Sequence, residues 1–321
     1  MRIFSKQIRM VKRIVRPIFG ALCCICAFCL AAPVSAASRY ILWTRGVDSS
    51  ELQATKEGLK QAFALAKQAG MRFNEGDLNV QIEQFETDKE FSDAISNRGD
   101  PFVEGVLDAS LNLVRIDAPP KLSPKELAAE TIHEAGHFVF VSEFVARKHI
   151  NPVQHWFWRF VPAMVPDYVG TSAAFNELWA DLLAVIVLKD PEVIANALRT
   201  NYGSFIESES NFVQRTRLLY KKASRDSTIA PRSFENHCDA RTWTQAEPHL
   251  ALAPVRGFLG QRLENTPDAE LLRVTFDAIF DVFEHNNVAT TSVPQMNQIL
   301  IRALQARLAQ LQPQRHTERA K

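Results

Sequence analysis

Apolar positions between residues 40 and 118 change their spacing from one segment to the next, which predicts a mixed α/β lobe. Leu78, Val80 and Ile82 alternate with polar residues, as in a half-buried strand. Between residues 49 and 69 the apolar positions recur at helical spacing, after a capping box formed by Asp48 and Glu51. The predicted strands are 40–43, 78–82, 102–106 and 111–116, and the predicted helices are 49–69 and a short one after Thr87.

The pattern after residue 120 is helical. Ser123, Pro124 and Glu126 combine a cap, a favoured first helical residue and the second half of a capping box. The helix that they open is predicted to run to about Arg147. Further helices are predicted near 172–188, 191–201, 211–223, 267–285 and 293–311, whereas 149–168 and 224–254 are the least regular segments. The predicted fold class is α+β, with an α/β lobe over 37–147 and a mainly helical lobe over 148–321.

The first 36 residues carry a targeting pattern. They contain six basic residues and no acidic one, an apolar run from Ile18 to Ala32, and small residues at 34–36 that suit a signal peptidase. The apolar run is shorter than the ~20 residues that a membrane-spanning helix needs. We therefore predict a secretory signal and export to the periplasm or the extracellular space. The alternative is an uncleaved membrane anchor.

Charge and cysteine usage change once this segment is set aside. Residues 37–321 keep 31 of the 37 basic residues and all 36 acidic ones, a formal balance of −5. This balance argues against a nucleic-acid partner, which would require a clustered basic face. Only Cys238 remains of the five cysteines, which excludes a disulfide scaffold and a cysteine-rich zinc ribbon. Cys238 is interpreted either as a buried apolar residue or as a nucleophile.

The segment His133-Glu134-Ala135-Gly136-His137 lies in the middle of the strongly capped helix. Two histidines four residues apart point the same way, so their rings can share one Zn²⁺ at about 2.0–2.1 Å. Glu134 lies beside the first histidine and can reach an activated water without binding the metal. This combination suits zinc-assisted hydrolysis. The alternative is that both histidines are ordinary residues of a helix face.

A second predicted helix carries Glu177 and Asp181, which are four residues apart and share a face. Their neighbours are mostly apolar, so this helix is predicted to be largely buried. Buried carboxylates are rare unless they are paired or bind a metal. Glu177 is therefore the predicted third ligand, and Asp181 is predicted to accept a hydrogen bond from a ligand histidine. The alternative is a solvated pair of carboxylates.

The two motifs together, His-Glu-x-x-His and Asn-Glu-x-x-Ala-Asp, resemble those of the gluzincin zinc metallopeptidases, the thermolysin-like clan. The resemblance covers about residues 124–188. His137 and Glu177 are 40 positions apart, more than in thermolysin, which implies an insertion or a different subfamily. The second motif is also similar to that of membrane-associated gluzincins, whose several spanning helices have no counterpart in this sequence. The resemblance implies a zincin-like fold, a Zn²⁺ cofactor and Glu134 as the general base.

The resemblance also implies an edge strand that pairs with extended substrate. The candidates are the predicted strand 111–116 and the strand 102–106, with which it is predicted to form a hairpin. The resemblance further implies a hydrogen-bond donor for the oxyanion. His249 is the first candidate and His237 the second, followed by Tyr168 and Tyr202. The alternative for each of them is an ordinary surface residue.

The aromatic run His155–Phe160 is interpreted as a cleft cover, a hydrophobic subsite, a peripheral membrane contact or packing between lobes.

The function predicted from the sequence is that of an exported zinc metallopeptidase acting on peptides or proteins. One alternative is a catalytically inactive, zinc-bearing binding or scaffold protein. The presence of Glu134 argues against it, because structural zinc needs no base. Another alternative is a zinc hydrolase that acts on a non-protein substrate such as a cell-wall crosslink, which the motifs do not distinguish from a peptidase.

Overall fold

A computed structural model describes residues 40–98, 106–108, 112–148, 166–204, 232–235, 248–286 and 291–318. The predicted signal segment, the predicted helix over 211–223, the aromatic run His155–Phe160, His237 and Cys238 lie outside the described residues. In chain order the elements are β1 (Ile41–Arg45), α1 (Ser49–Gln68), β2 (Asn79–Gln84), α2 (Asp88–Arg98), β3 (Val106–Asp108), β4 (Leu113–Ala118), α3 (Pro124–Arg147), α4 (Pro166–Leu188), α5 (Val193–Ser204), α6 (Pro248–Ala251), α7 (Ala253–Gly260), α8 (Asp268–His285) and α9 (Val293–Glu318).

Four strands form one sheet in the order β1-β2-β4-β3. β1, β2 and β4 are parallel, whereas β3 runs antiparallel to β4 at the edge of the sheet. Parallel neighbours require a crossover connection, and α1 supplies it between β1 and β2. The predicted α+β class is confirmed. β3 begins at Val106 and β4 at Leu113, later than the predicted starts at 102 and 111. Alternation of apolar residues indicates that a strand is present, but it does not define where the strand begins.

The two helix starts that the sequence marked most strongly are confirmed. Asp48 caps α1, and Oε2 of Glu51 accepts the backbone N–H of Asp48 at 2.8 Å in return. Ser123 and Glu126 form the same reciprocal pair at the start of α3, with Pro124 as its first residue. These local hydrogen bonds satisfy backbone N–H groups that a helix leaves unpaired. The start of α3 is therefore determined by residues at its own N-terminus.

The helix α3 lies at the centre of the described fold. Its residues 127–140 are all buried, and it packs against α1 on one side and against α4 on another. The later part of α4 is also enclosed, because its residues 178–186 are all buried and lie all around the helix rather than along one stripe. The indole N–H of Trp179 in α4 donates to the carbonyl of Leu272 in α8 at 3.2 Å. Both motif helices thus belong to the core.

Several helix ends differ from the predicted ones. α4 begins at Pro166 rather than near residue 172, and α9 extends to Glu318 rather than to residue 311. The helix α6 falls in the segment 224–254 that was predicted to be irregular, and α7 begins at the end of that segment and continues to Gly260, where no helix was predicted. Pro248 and Pro254 break the apolar period there, although proline is well tolerated in the first turn of a helix. None of the described helices is long and apolar enough to cross a membrane.

Glu143, near the end of α3, is a buried carboxylate that joins three parts of the fold. It accepts hydrogen bonds from the backbone N–H of Arg72 at 2.8 Å, from the Arg72 guanidinium, and from Nε of Arg147 at 2.7 Å. Nη1 of Arg147 also forms an ion pair with Oδ1 of Asp277 in α8, at 2.6 Å. Burial raises the pKa of Glu143, but the hydrogen bonds from Arg72 and Arg147 outweigh that effect, so the pKa is lowered.

Glu143→Gln is therefore expected to lower the free energy of unfolding at pH 7 by about 2 kcal/mol, discounted for the exposure of Arg72. A lowered pKa in the folded state means that the ionised carboxylate stabilises the fold above the ordinary glutamate pKa. That contribution is lost as the pH falls, so the difference from wild type should shrink between pH 5 and pH 3. Urea unfolding across this range measures it. Glu57→Gln, at an exposed position, is the control and should change little.

Candidate metal centre

The three predicted ligands meet where α3 crosses α4. Nε2 of His133 lies 3.3 Å from Oε2 of Glu177, and Nε2 of His137 lies 3.3 Å from Oε1 of the same carboxylate. One ligand atom from each residue lies within 4.8 Å of the other two. Both histidines are buried and Glu177 is largely buried. These residues, brought together from two distant segments, could hold a metal ion.

The close approach of the two helices depends on a glycine. A Cβ atom placed on Gly136 would lie 2.9 Å from the Cα of Ala180 and 3.1 Å from its Cβ. Real Cβ atoms essentially never approach backbone that closely, so no larger residue fits without a shift of the helices. Gly136 lies between the two histidines and Ala180 lies just before Asp181. The crossing point therefore brings both motifs together, and Gly136 and Ala180 determine how closely α3 and α4 approach each other.

Gly136→Ala is expected to destabilise the protein by about 1–3 kcal/mol, although alanine favours a helix over glycine by about 1 kcal/mol. The methyl group must push α3 and α4 apart, so we also expect weaker metal binding. Urea unfolding and a metal titration measure the two effects. Gly58→Ala is the control, because its methyl group would meet the flexible end of Ile132 rather than backbone. An equal loss in both variants would contradict this explanation.

Glu134 lies beside the ligand group. Its side chain is buried, and Oε1 lies 3.8 Å from Nε2 of His133. The ligand group itself comprises His133, His137 and Glu177 without it. A carboxylate at this distance can act on a molecule bound next to the ligands while leaving the ligand positions to the other residues.

Asp181 lies one turn after Glu177 and is fully buried. Its Oδ1 is 3.0 Å from Nδ1 of His133, so it can fix that ring with Nε2 directed at Glu177. Two buried arginines also contact this carboxylate, with Nε of Arg232 at 3.1 Å and Nε of Arg256 at 2.8 Å from Oδ2. Burial raises the pKa of Asp181, but the charges of Arg232 and Arg256 lower it by more. The net pKa is therefore far below its usual value, and the carboxyl is held ionised.

Arg232 and Arg256 were not identified from the sequence. Both follow the second motif at a distance, and Arg232 lies in a segment predicted to be irregular. No local pattern marks an arginine whose partner is more than 50 residues away. The signal that could have pointed to them is indirect. Two carboxylates on a buried helix require nearby positive charge, which buried arginines can supply.

His249, the first candidate for the oxyanion donor, lies near the centre. It belongs to α6, and its Nε2 is 3.5 Å from Oε1 of Glu177. Its side chain is partly buried, with an exposure similar to that of Glu177. Tyr168 and Tyr202 lie within α4 and α5. Among the side chains that the structure describes, His249 is the candidate that lies near the ligands. The side chains of Tyr168 and Tyr202, and all of His237, lie outside that description.

The ligand residues are strongly coupled electrostatically. Burial lowers the pKa of His137, but the adjacent carboxylate of Glu177 outweighs it and raises the pKa to about 9. Burial, His137 and Arg232 lower the pKa of His133, but the hydrogen bonds to Asp181 and Glu177 raise it on balance. Burial raises the pKa of Glu177, but His249 and His137 lower it well below its usual range. The site thus favours an anionic carboxylate facing cations.

A comparison of the chain with protein-family models, with curated proteins and with solved structures found no match. The chemistry of the site therefore has to be argued from its residues and their geometry.

Proposed function

We propose that this protein is an exported zinc-dependent metallopeptidase of the gluzincin type. The observation that carries the proposal is the buried group of His133, His137 and Glu177, whose ligand atoms lie within 4.8 Å of one another. Glu134 lies beside this group, and Nε2 of His249 lies 3.5 Å from Oε1 of Glu177. A base next to a metal centre distinguishes a hydrolase from a structural zinc site, which needs none.

The donor set favours zinc. Two imidazoles and one carboxylate form the ligand set of several catalytic zinc sites, which keep a fourth position for water or substrate. The Nε2 atoms of His133 and His137 each lie 3.3 Å from a different oxygen of Glu177, so one carboxylate faces both imidazoles. The hydrogen bond from His133 to Asp181 adds support, because ligand histidines usually donate their other N–H to such a group.

The order of the strands supports a zincin-like arrangement. The antiparallel strand β3 lies at the edge of an otherwise parallel sheet and packs against α3, the helix with two ligands. The candidate for substrate pairing is therefore β3, the hairpin partner of the predicted strand 111–116, rather than that strand itself. An edge strand offers backbone N–H and C=O groups that an extended peptide can use. This mode of capture orients a peptide bond without reading its side chains.

When bound, Zn²⁺ would supply a Lewis acid for the scissile carbonyl and would favour ionisation of the attacking water. Glu134 would accept the proton of that water and pass it to the leaving amine nitrogen, acting first as a general base and then as a general acid. His249 would donate a hydrogen bond to the oxygen on which negative charge develops. Asp181 would hold His133 in the tautomer and orientation that ligation needs.

The test is a metal assay joined to an unbiased cleavage assay. The purified chain should carry about one zinc per molecule, and His133→Ala and Glu177→Ala should each lose it. Wild type should cleave a mixed peptide library, lose this activity in chelator and regain it with zinc. His285→Ala, at an exposed histidine of α8, is the matched control and should keep zinc. Zinc that survives both ligand substitutions, or a zinc-loaded wild type that cleaves no peptide, would contradict the proposal.

A further inference from the structure

We propose that Arg232 is a built-in counter-cation that competes with the metal ion for its own ligands. Without a metal, its guanidinium pairs with Glu177 and lies against the ring of His133. When the metal binds, the guanidinium leaves both residues and keeps Asp181 as its partner. The inference rests on the metal centre of the proposed function, and it is independent of which substrate that centre cleaves.

The guanidinium reaches the same atoms that the metal would use. Nη2 of Arg232 lies 3.2 Å from Oε2 of Glu177 and 3.3 Å from each ring nitrogen of His133, so it lies against that ring. Oε2 of Glu177 and Nε2 of His133 are themselves 3.3 Å apart, so Nη2 and these two proposed ligand atoms form a nearly equilateral triangle. A cation bonded to both ligand atoms would therefore lie next to a guanidinium nitrogen. Two cations at such a separation repel each other strongly in a buried site.

The burial of this cluster explains why a counter-cation is needed. Asp181 and Arg232 are both almost inaccessible to solvent, and Glu177 is largely buried. Two carboxylates on one turn of a buried helix destabilise a fold unless positive charge balances them. Arg232 contacts both carboxylates through one nitrogen, since Nη2 also contacts Oδ1 of Asp181. A bound dication would supply that charge and make the contact with Glu177 redundant.

The backbone that carries Arg232 is fixed, so the competition concerns its side chain. The N–H of Phe234 donates to the carbonyl of Pro191 at 3.0 Å, and the Phe234 side chain is buried. The carbonyl of Phe234 lies against Gly260, where an added Cβ would come within 1.6 Å of it. With this segment anchored two residues away, the guanidinium can change partners by rotation of its own side chain.

Arg256 provides an internal comparison. It is also fully buried and contacts Asp181 through Nε at 2.8 Å and Nη2 at 2.6 Å. Its contacts are with Oδ2 of Asp181, on the side away from the oxygen that accepts His133. Arg256 should therefore stabilise the fold whether or not a metal is bound. The two arginines share a carboxylate, but only Arg232 is placed to oppose the metal.

The experiment compares Arg232→Gln with wild type and with Arg256→Gln, using the full purified chain. The zinc dissociation constant is measured by competition with a chromogenic chelator, and the melting temperature is measured in excess chelator. Arg232→Gln should bind zinc about tenfold more tightly, because the competing cation is gone, and should melt about 5 °C lower without metal. Arg256→Gln should also melt lower, without tighter zinc binding.

Opposite signs for the two measurements distinguish competition from a merely structural role. Weaker or unchanged zinc binding by Arg232→Gln overturns the inference while the metal centre stands. A wild type that binds no zinc overturns the proposed function and this inference with it. If Arg232→Gln does not fold, Arg232→Lys replaces it, because lysine keeps a positive charge for Asp181 on a shorter side chain that reaches less far toward Glu177. Tighter zinc binding by Arg232→Lys than by wild type supports the inference, and equal or weaker binding overturns it.

Discussion

Glu134→Gln is expected to reduce the rate of peptide hydrolysis by at least about 10³-fold while zinc binding stays close to that of wild type. The amide has nearly the shape of the carboxylate, so α3 should keep its packing. It cannot accept a proton from water, however, and it cannot deliver one to the leaving nitrogen. Because Glu134 lies outside the ligand group, its substitution leaves the three ligands in place.

The measurement pairs turnover of a cleaved library peptide with zinc content for each purified variant. Glu126→Gln is the matched control, because it makes the same chemical change in the first turn of the same helix. Glutamine can still complete the capping box there, so activity should be unchanged. If Glu134→Gln kept wild-type activity, water activation by this residue would be wrong, even with the zinc site intact.

His249→Phe is expected to lower kcat/KM by about 10²-fold with zinc retained. Nε2 of His249 lies 3.5 Å from the ligand carboxylate, so its ring borders the position where substrate would approach the metal. Phenylalanine fills a similar volume but donates no hydrogen bond to a developing oxyanion. The loss should therefore appear in turnover, with little change in metal binding.

His285→Phe serves as the control for this substitution, since His285 lies at the exposed end of α8. The zinc dissociation constant separates two explanations for any loss at position 249. A large loss of zinc would show that His249 supports Glu177 rather than the substrate. Unchanged kinetics would return the donor role to the other candidates from the sequence, His237, Tyr168 and Tyr202.

The sequence predicted those parts of the fold whose causes are local. The bounds of α3 agree with the prediction because Ser123, Pro124 and Glu126 define its start through contacts within one turn. The alternation of Leu78, Val80 and Ile82 likewise identified β2, since all three residues are buried in the sheet core. Patterns of this kind depend on spacing along the chain, which a single sequence contains in full.

The proximity of His133, His137 and Glu177 was also predictable, for a different reason. Spacing placed His133 and His137 on one face, and the apolar neighbours of Glu177 indicated a buried carboxylate that needed a cation. That these residues meet depends on the crossing at Gly136 and Ala180, which the sequence does not reveal. Arg232 and Arg256 were missed because their contacts with Asp181 bridge 51 and 75 positions.

The enclosure of α3 has a consequence for how the centre responds to stress. Because residues 127–140 are buried between neighbouring elements, no small local opening can separate His133 from His137. Their backbone amides should exchange with solvent deuterium only when the whole unit opens. Any ion bound there would add its binding free energy to the stability of the entire fold, through thermodynamic linkage. Loss of the ion would then lower the melting temperature of the whole unit, while the metal-free state stays folded.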